Sequence, residues 1–383
     1  MLETLRFVPD HTSEPLPEYY NVWEEIAANL PRLFKEGSLL DTIISLPTLQ
    51  TDQFMSESDW QRAYVVLGFT VHGLIHGTKQ NSIPSSLAEP FLRVCDHLGV
   101  QPVLSYAGLC LYNWTKTGDS DILSGMRTIV SFTGTLDEDA FYLVPVLVER
   151  AAGHLPGQLL QAVAEAQRNQ WHQVANYLDI CSTTLRQMVD ALGELNLCRP
   201  KVFYQDVRPY IRGIDVAFER RGTEPLRVNL VGGSAGQSSL FQFLDHILGV
   251  QHESSLLQEM RTYMPRGHRQ FLDDMEKLPT LLDLAVADGA GDVILAKLEE
   301  CRLELKKWRD KHIAIVARYI MLPAQAAARE SEGHAVKITG TAGSSPIHFL
   351  KQMRNETVLA QEKGQEEGKK EAYELGKTNA SIL

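Results

Sequence analysis

Apolar residues recur at steps of three and four along most of this 383-residue chain. The clearest series runs from Val174 to Leu195 and lays one apolar stripe along a helix of roughly 20 residues, which must pack against other helices. The same spacing predicts further helices at 60–75, 91–98, 103–114, 141–151, 240–248, 271–284 and 295–322. The pattern therefore predicts an all-α fold.

One segment alternates apolar and polar residues as a strand does. At 226–231, the side chains of Leu226, Val228 and Leu230 would lie on one side. The segment leads directly into a glycine- and serine-rich turn at 232–239 and then into a predicted helix. It is the only good strand candidate in the chain.

A strand, a tight turn and a helix in this order can expose a serine nucleophile, and Gly232-x-Ser234-x-Gly236 has the spacing of a serine hydrolase motif. The hydrolase sheet needs several strands before the serine, whereas the preceding sequence predicts helices. The alternative is that these small residues let the backbone approach a bound ligand closely. Of the two interpretations, the hydrolase is the weaker.

A polar, turn-rich stretch interrupts the helical pattern at 131–138. We place a domain boundary near residue 132, between a small N-terminal helical domain (1–132) and a large C-terminal helical domain (133–383). Within the larger domain, residues 324–345 lack clear periodicity, which predicts a mobile loop long enough to act as a lid. Residues 361–383 read as a charged tail.

Composition and charge narrow the class of protein. A formal net charge of −11 argues against a nucleic-acid partner. No secretory signal pattern and no long apolar run are present, so we expect a cytoplasmic protein that does not bind membranes. Five scattered cysteines without a C-x-x-C pair predict neither disulfides nor a thiolate zinc site.

Three histidines are candidates for metal chemistry. His72 and His76 lie four residues apart on one predicted helix face, yet no third ligand accompanies them, and a core or surface pair is the simpler interpretation. His312 lies on the apolar stripe of a long predicted helix, with Trp308 and Tyr319 on the same side. A lone buried histidine is usually a satisfied core residue, but imidazole is also the usual proximal ligand of haem iron. Both interpretations of His312 stay open on periodicity alone.

Tyr204 and Arg208 form a second candidate pair, because residues four apart share a helix face. Together they would combine an aromatic surface with a guanidinium able to hold a carboxylate. Without further information, a half-buried tyrosine and a solvated arginine are the simpler interpretation. Pro209 predicts a kink or a new helical segment directly after them.

Three segments resemble the indoleamine 2,3-dioxygenase family of haem enzymes. They are Gly-Gly-Ser-Ala-Gly-Gln-Ser-Ser-Leu-Phe-Gln at 232–242, Arg-x-Tyr-Met-Pro-x-x-His-Arg-x-Phe-Leu at 261–272, and His312 with Ile-Val-x-x-Tyr-Ile at 315–320. Weaker matches, such as Tyr106 and Asn113-Trp114, extend the resemblance through most of the chain to about residue 350. The resemblance implies a two-domain, all-α fold that holds one haem b between the domains.

The resemblance also implies roles for individual residues. His312 would be the proximal iron ligand, Arg309 would lie near a haem propionate, Asp245 would be an acidic residue on the proximal side, and Gly233 would let the backbone approach the cofactor. Arg208 would hold the substrate carboxylate. The substrate pocket would be lined or closed by Tyr106, Phe141, Phe203, Tyr204, Ser234, Ala235 and Thr341.

Two positions depart from the family pattern. Tyr204 stands where the mammalian pattern has a second phenylalanine, which places a hydroxyl near the carboxylate site and should adjust affinity. Pro145 stands where that pattern has a serine, which removes a possible hydrogen bond to substrate or oxygen.

The activity that the resemblance implies is insertion of O2 across the indole C2–C3 bond of L-tryptophan, giving N-formylkynurenine, the first step of kynurenine formation and often of NAD synthesis. The partners would be L-tryptophan, O2 and an electron donor that keeps the iron ferrous, and the protein would be a monomer. A low-turnover haem-binding sensor, an oxygenase for another indole and a serine hydrolase that uses Ser234 remain alternatives.

Overall fold

The computed structural model describes residues 6–9, 14–118, 123–252, 254–330 and 347–357. Helices dominate these residues, which confirms the predicted all-α class. The α-helices are α1 (Asn21–Ala28), α2 (Leu30–Glu36), α3 (Leu39–Ile44), α4 (Glu57–His72), α5 (Ser85–Leu98), α6 (Leu136–Ala151), α7 (Leu155–Ala166), α8 (Trp171–Ala191), α9 (Pro200–Val202), α10 (Ser239–Ile247), α11 (Ser255–Arg261), α12 (Arg266–Met275), α13 (Leu281–Ala287), α14 (Asp292–Val316), α15 (Leu322–Glu330) and α16 (347–357).

Four π-helical turns interrupt or extend these helices within the described residues. They are Gly73–Gly77, Ala107–Leu111, Phe203–Val207 and Ala317–Met321. A π-helical turn adds one residue to the normal spacing and is frequent at functional sites. Three of the four border the cavity described below.

The strands form two small sheets. They are β1 (Ser82–Ile83), β2 (Thr115–Lys116), β3 (Met126–Arg127), β4 (Ile214–Arg220) and β5 (Thr223–Leu230). The strand predicted at 226–231 is confirmed as part of β5, but the prediction missed its antiparallel partner β4, in which Ala217 breaks the alternation. β4 and β5 form a hairpin whose turn contains Gly222 in the left-handed region, at φ +73°.

Two predicted helices were too long. The segment 271–284 divides into α12 and α13, because Pro279 cannot continue a helix and Thr280 caps the next one by accepting a hydrogen bond from the backbone N–H of Asp283. The segment 103–114 is helical mainly at the π turn Ala107–Leu111. By contrast, α8 and α14 confirm the predictions at 174–195 and 295–322.

The predicted mobile loop at 324–345 was wrong at its start. Residues up to 330 belong to α15, which continues the line of α14 through the π turn Ala317–Met321. Residues 331–346, with most of the predicted loop, and the predicted tail at 361–383 lie outside the described residues.

A single cluster of buried apolar residues runs through the fold, and it includes residues on both sides of position 132. α8 packs against α6, α7 and α14, and two of these helices, α6 and α14, line the cavity described below. The domain boundary near residue 132 stays a prediction.

All five cysteines are buried free thiols, as their scattered spacing predicted. Among the described residues, none of the helices combines the length and the apolar character that crossing a bilayer requires.

Candidate functional site

A narrow cavity lies between α6, α14 and the glycine- and serine-rich segment 232–239. It encloses about 1400 Å³ that protein atoms do not fill, part of which is open to solvent, and the centre of a water molecule can occupy about 200 Å³ of it. Most of the empty space therefore lies close to a wall, which suits a flat ligand. The walls are mainly aromatic and aliphatic, as is usual for cofactor and substrate pockets.

Several elements that are distant in sequence supply this cavity. α6 contributes Phe141 and Pro145, the π turn Phe203–Val207 contributes Phe203, and α14 contributes His312. Phe141 and Phe203 stack with ring centroids 4.0 Å apart. The two rings form one continuous aromatic wall.

Most of the residues that the resemblance assigned to a pocket border this one cavity. They are Tyr106, Phe141, Phe203, Gly233, Ser234, Ala235 and His312. Pro145 also borders it, so the departure from the family pattern lies within the cavity wall. Tyr204, Arg208, Arg309 and Asp245 are not among its lining residues, and Thr341 lies outside the described residues.

His312 differs from an ordinary core histidine. Its ring borders the cavity and lies 5.1 Å from the Trp308 ring, and neither imidazole nitrogen has a hydrogen-bond partner among the described residues. Burial, and to a lesser degree the positive charge of Arg309, lowers the pKa of His312 to about 4. A neutral imidazole with an uncommitted nitrogen is the form that binds a metal ion.

His72 shows the opposite situation. Its Nδ1 lies 2.8 Å from the carbonyl oxygen of Tyr210, and its Nε2 accepts a hydrogen bond of 3.0 Å from the backbone N–H of Leu104. Both nitrogens of His72 are therefore used inside the core, whereas the Nε2 of His76 is buried without a hydrogen-bond partner among the described residues. Within the described part of the chain, no three His, Cys, Asp or Glu residues are grouped as metal ligands would be.

Ser234 acts as a helix cap. Its hydroxyl oxygen accepts a hydrogen bond from the backbone N–H of Gly236 (3.3 Å), and Gln237 completes a capping box with it. The histidine contact in this segment belongs to Ser239, which lies 3.1 Å from His268, and neither of these residues borders the cavity. In the described residues, Ser234 thus lacks the histidine that would activate a nucleophile.

Gly232 is required by a close crossing of two backbone segments. A Cβ atom at this position would lie 2.7 Å from the carbonyl carbon of Arg212 and closer still to the carbonyl oxygen of Ile211. At Gly233, a Cβ atom would overlap the side chain of Leu109, which itself borders the cavity. The two glycines therefore let the segment pack closely against its neighbours, and Gly233 borders the cavity together with the residues that follow it.

The segment 261–272, the second of those that resemble the family, holds the first segment (232–242) in place through hydrogen bonds. The Tyr263 hydroxyl accepts a hydrogen bond from the backbone N–H of Val231 (3.2 Å), and Arg261 donates to the side-chain oxygen of Gln242 (2.6 Å). The conformation of the cavity wall thus depends on residues some thirty positions further along the chain.

Arg309 and Asp245 form a buried ion pair beside the cavity. Arg309 donates to both carboxylate oxygens of Asp245 (2.6 Å each) and to the Thr357 hydroxyl. His252 bridges Asp245 (2.9 Å) and Glu356 (2.6 Å). These contacts fasten α16 to α10 and α14.

The charges in this cluster stabilise one another. Burial by itself would raise the pKa of Asp245, but Arg309 and His252 lower it overall. Burial likewise opposes a charge on His252, but Asp245 and Glu356 raise its pKa above the ordinary value. The cluster therefore favours an imidazolium that donates from both ring nitrogens.

Tyr204 and Arg208 face each other as their spacing predicted. The Arg208 guanidinium lies 5.3 Å from the centre of the Tyr204 ring, and its pKa is lowered because it is partly buried. The π turn Phe203–Val207 is followed directly by a short 3₁₀ turn (Arg208–Ile211). The change of helix type at Pro209 agrees with the predicted kink.

Sequence reasoning missed part of the cavity wall. Periodicity placed five residues beside His312, and all but the first line the cavity: Leu305, Trp308, Ile315, Val316 and Tyr319. No sequence signal connected the more distant contributors to it, and these include Leu109, Cys110, Leu192, Leu195, Leu256, Met260, Phe349 and Leu350.

Comparison with known proteins identifies the family. The family model described as Indoleamine 2,3-dioxygenase matches residues 2–360. The 6-hydroxytryptophan 2,3-dioxygenase of Fusarium equiseti is 34% identical over 371 residues, which cover 90% of this chain and 92% of that protein. Indoleamine 2,3-dioxygenase 2 of Mus musculus is 33% identical, with 94% of this chain and 93% of that protein covered. For the indoleamine 2,3-dioxygenase of Saccharomyces cerevisiae, the identity is 33% and the coverage is 88% and 87%.

The fold and the matches define the class of protein as an oxidoreductase, and more narrowly as a haem-dependent dioxygenase. Helical architecture, a cavity with a free imidazole and full-length similarity agree on this class. The chain belongs to the indoleamine 2,3-dioxygenase family.

Proposed function

We propose that this protein uses haem b to insert both atoms of O2 across the C2–C3 bond of L-tryptophan, which opens the pyrrole ring and yields N-formylkynurenine. The observation that carries the proposal is the uncommitted imidazole of His312, which borders a narrow aromatic cavity. In the cell, an electron donor would keep the iron ferrous. The reaction would be the first step of kynurenine formation.

The residues of the cavity fit a haem group. A flat macrocycle suits a narrow space with apolar walls, and a neutral imidazole is the usual proximal ligand of haem iron. His312 would be that ligand, and Gly233, Ser234 and Ala235 would form a wall of small residues against the ring system. Bound ferrous haem supplies the iron at which O2 is activated.

Arg309 and Asp245 would lie on the His312 side of the cofactor. Arg309 precedes His312 by one helical turn, which supports a role in neutralising a haem propionate. Its hydrogen bonds to Asp245 and Thr357 support a further role, the attachment of α16. The two roles are compatible, because a guanidinium has five N–H donors.

The chain's own residues would bind and orient the substrate. The stacked rings of Phe141 and Phe203, together with Tyr106, would hold the indole ring flat and exclude water. Arg208 would bind the carboxylate, with Tyr204 against its guanidinium. Thr341 would help to close the site over the amino acid.

A second candidate substrate is another indole, such as a hydroxylated tryptophan. It is favoured by the 34% identical Fusarium protein, whose name gives 6-hydroxytryptophan as its substrate. Pro145 supports the unsubstituted ring instead, because it contributes no hydroxyl or N–H to the cavity wall.

The test is an absorption spectrum of the purified full-length protein, followed by substrate addition under reducing, aerobic conditions. We expect a Soret band and formation of N-formylkynurenine from L-tryptophan, and 6-hydroxytryptophan and tryptamine serve as comparison substrates. A Soret band without product from any of them would favour a haem-binding sensor. A colourless protein labelled at Ser234 by a fluorophosphonate would favour the hydrolase.

A further inference from the structure

A carboxyl group that the proposed reaction does not use is buried directly behind the cavity wall. Glu149 on α6 has an exposed fraction of only 2%. Its Oε1 accepts hydrogen bonds from the Tyr106 hydroxyl (3.0 Å) and from the Ser238 hydroxyl (2.6 Å). Tyr106 borders the cavity, and Ser238 belongs to the glycine- and serine-rich segment 232–239, whose small residues form one wall of it.

Glu149 therefore joins three elements of the cavity wall. α6, which carries Glu149, also supplies Pro145 and Val148 to the cavity. Tyr106 is held at both ends, because its backbone N–H donates to the side-chain oxygen of Gln237 (2.9 Å) while its hydroxyl donates to Glu149. The carboxyl group sets the direction in which the Tyr106 hydroxyl points.

The fold alone gives no reason for a carboxyl group at this position. Buried carboxylates are normally paired with cations, whereas the partners described for Glu149 are two neutral hydroxyls. Burial raises the pKa of Glu149 to about 7, so an ionised form is disfavoured by its surroundings. A neutral side chain of similar size would fill the space without this penalty, which points to a task for the carboxyl group.

We propose that Glu149 is a positioning residue that directs the Tyr106 hydroxyl out of the cavity, so that the aromatic face of Tyr106 is presented to the indole ring. Because the hydroxyl proton is committed to Glu149, the cavity offers no phenolic donor at this place. The proposal rests on the proposed function, since it concerns the binding of an indole substrate.

The protonation state of Glu149 should affect this arrangement. The titratable side chains facing Glu149 are Tyr106 and Cys110, and burial raises the pKa of both above the neutral range, so they stay neutral. An ionised Glu149 can only accept and holds both hydroxyls as donors. A protonated Glu149 has a donor of its own and less acceptor capacity, so it holds the Tyr106 hydroxyl less firmly.

The experiment compares Glu149→Gln, Glu149→Met, Tyr106→Phe and the Glu149→Met, Tyr106→Phe double variant as full-length haem proteins. Glu149→Met should raise KM for L-tryptophan about tenfold, as expected for one hydrogen bond, with haem content and kcat nearly unchanged. Glu149→Gln keeps an acceptor and should stay within about threefold of the parent protein. In the parent, KM should rise by no more than about threefold as pH falls through about 7, because a protonated carboxyl resembles the amide of glutamine, and this dependence should vanish in Glu149→Gln.

Coupling between the two residues separates positioning from a general structural effect. Once Tyr106 is phenylalanine, no hydroxyl remains to be directed, so the further change Glu149→Met should alter KM less than twofold. An unchanged KM in Glu149→Met, or effects that multiply in the double variant, would overturn the proposal.

A readout without turnover keeps this inference separate from the proposed function. If the parent protein does not oxidise L-tryptophan, the proposed function fails, and hydrogen exchange still tests the positioning. Glu149→Met should accelerate amide exchange at 104–111 and 232–239, while α8 keeps its protection. Equal exchange in parent and variant would refute the positioning role.

Discussion

At the scale of single residues, two histidines show which structural features leave a side chain able to bind a metal ion. His72 and His312 both lie on apolar stripes of helices, and sequence spacing treats them alike. The difference lies in their partners: Tyr210 and Leu104 use both nitrogens of His72, whereas His312 faces a cavity with its nitrogens uncommitted. A histidine's partners come from other elements, so periodicity could nominate His312 but not distinguish it from His72.

Arg208 carries the first prediction at this scale. Replacing it with leucine should raise KM for tryptophan roughly tenfold to a few hundredfold, because a hydrogen bond to a charged group contributes about 1.5–3 kcal/mol. Haem content, measured by the Soret absorbance per protein, should not change. Arg212 is an exposed arginine close by in the chain, and Arg212→Leu serves as the matched control. Equal kinetics in parent and Arg208→Leu would refute the carboxylate role.

At the scale of elements, the segment 232–239 shows how one local pattern can serve two folds. The strand before this segment, the turn itself and the helix after it were all predicted from the sequence, and all are present in the structure. Whether such a turn exposes a nucleophile depends on the sheet behind it, and here that sheet has the strand order β1-β4-β5 in the described residues. The crossing of Gly232 over Ile211 and Arg212 explains the glycine without invoking a ligand.

Gly232→Ala should therefore destabilise the protein even without haem. The added methyl group would overlap backbone atoms, which cannot move aside as a flexible side chain can, so we expect a loss of about 1–3 kcal/mol or more in the free energy of unfolding. Gly118→Ala is the control, because a Cβ atom there meets nothing within 4 Å. Urea unfolding monitored by circular dichroism measures both, and equal midpoints for the two variants would contradict the crossing argument.

A second feature at the scale of elements is the cluster of charged residues around His252, which attaches α16 to its neighbours. A histidine whose folded pKa is raised stabilises the fold below its unfolded pKa, near 6.5, and this stabilisation is lost as pH rises through the folded pKa. The other charged groups in this cluster are Asp245, Glu356 and Arg309. Because these side chains are buried, solvent screens their interactions with His252 and with one another only weakly.

We thus expect amide exchange in 347–357 to accelerate as pH is raised from about 6 to 9, after correction for the intrinsic pH dependence of exchange. His252→Gln should remove this pH dependence and leave the segment less protected at pH 6. His97, which pairs with Glu57 at the surface and is 37% exposed, provides the control variant His97→Gln. A segment 347–357 with the same protection in parent and His252→Gln would disprove the proposed attachment.

At the scale of the whole molecule, the cavity is assembled from α6, α10, α11, α14, α16 and the turns between them. A ligand that binds only this assembled form stabilises the entire fold. At a free concentration one hundred times its Kd, such a ligand contributes about 2.7 kcal/mol.

Removing haem should accordingly lower the melting temperature by several degrees, and adding it back should restore the original value. His312→Ala should melt close to the haem-free parent and respond little to added haem, and it should lack a normal Soret band. Thermal unfolding followed by circular dichroism, with the Soret absorbance recorded in parallel, tests both statements. Normal haem binding by His312→Ala would refute the assignment of the ligand.

The sequence by itself determined the fold class of this protein, its long helices and its family. Three- and four-residue spacing defined the long helices α8 and α14, and the segments at 232–242, 261–272 and 312–320 indicated the family. The family resemblance also identified seven residues that border one cavity. Members of a family keep the same residues close together in space, and the spacing of apolar residues along the chain does not show this proximity.

Only the tertiary structure decided which side chains remain available for a ligand. It divided 271–284 into two helices, paired β5 with β4, committed Arg309 to Asp245 and placed Glu149 behind Tyr106. The physical reason is that burial, hydrogen-bond satisfaction and steric crossing depend on contacts between segments far apart in the chain. Periodicity describes one element at a time, and those contacts exist only after the elements pack.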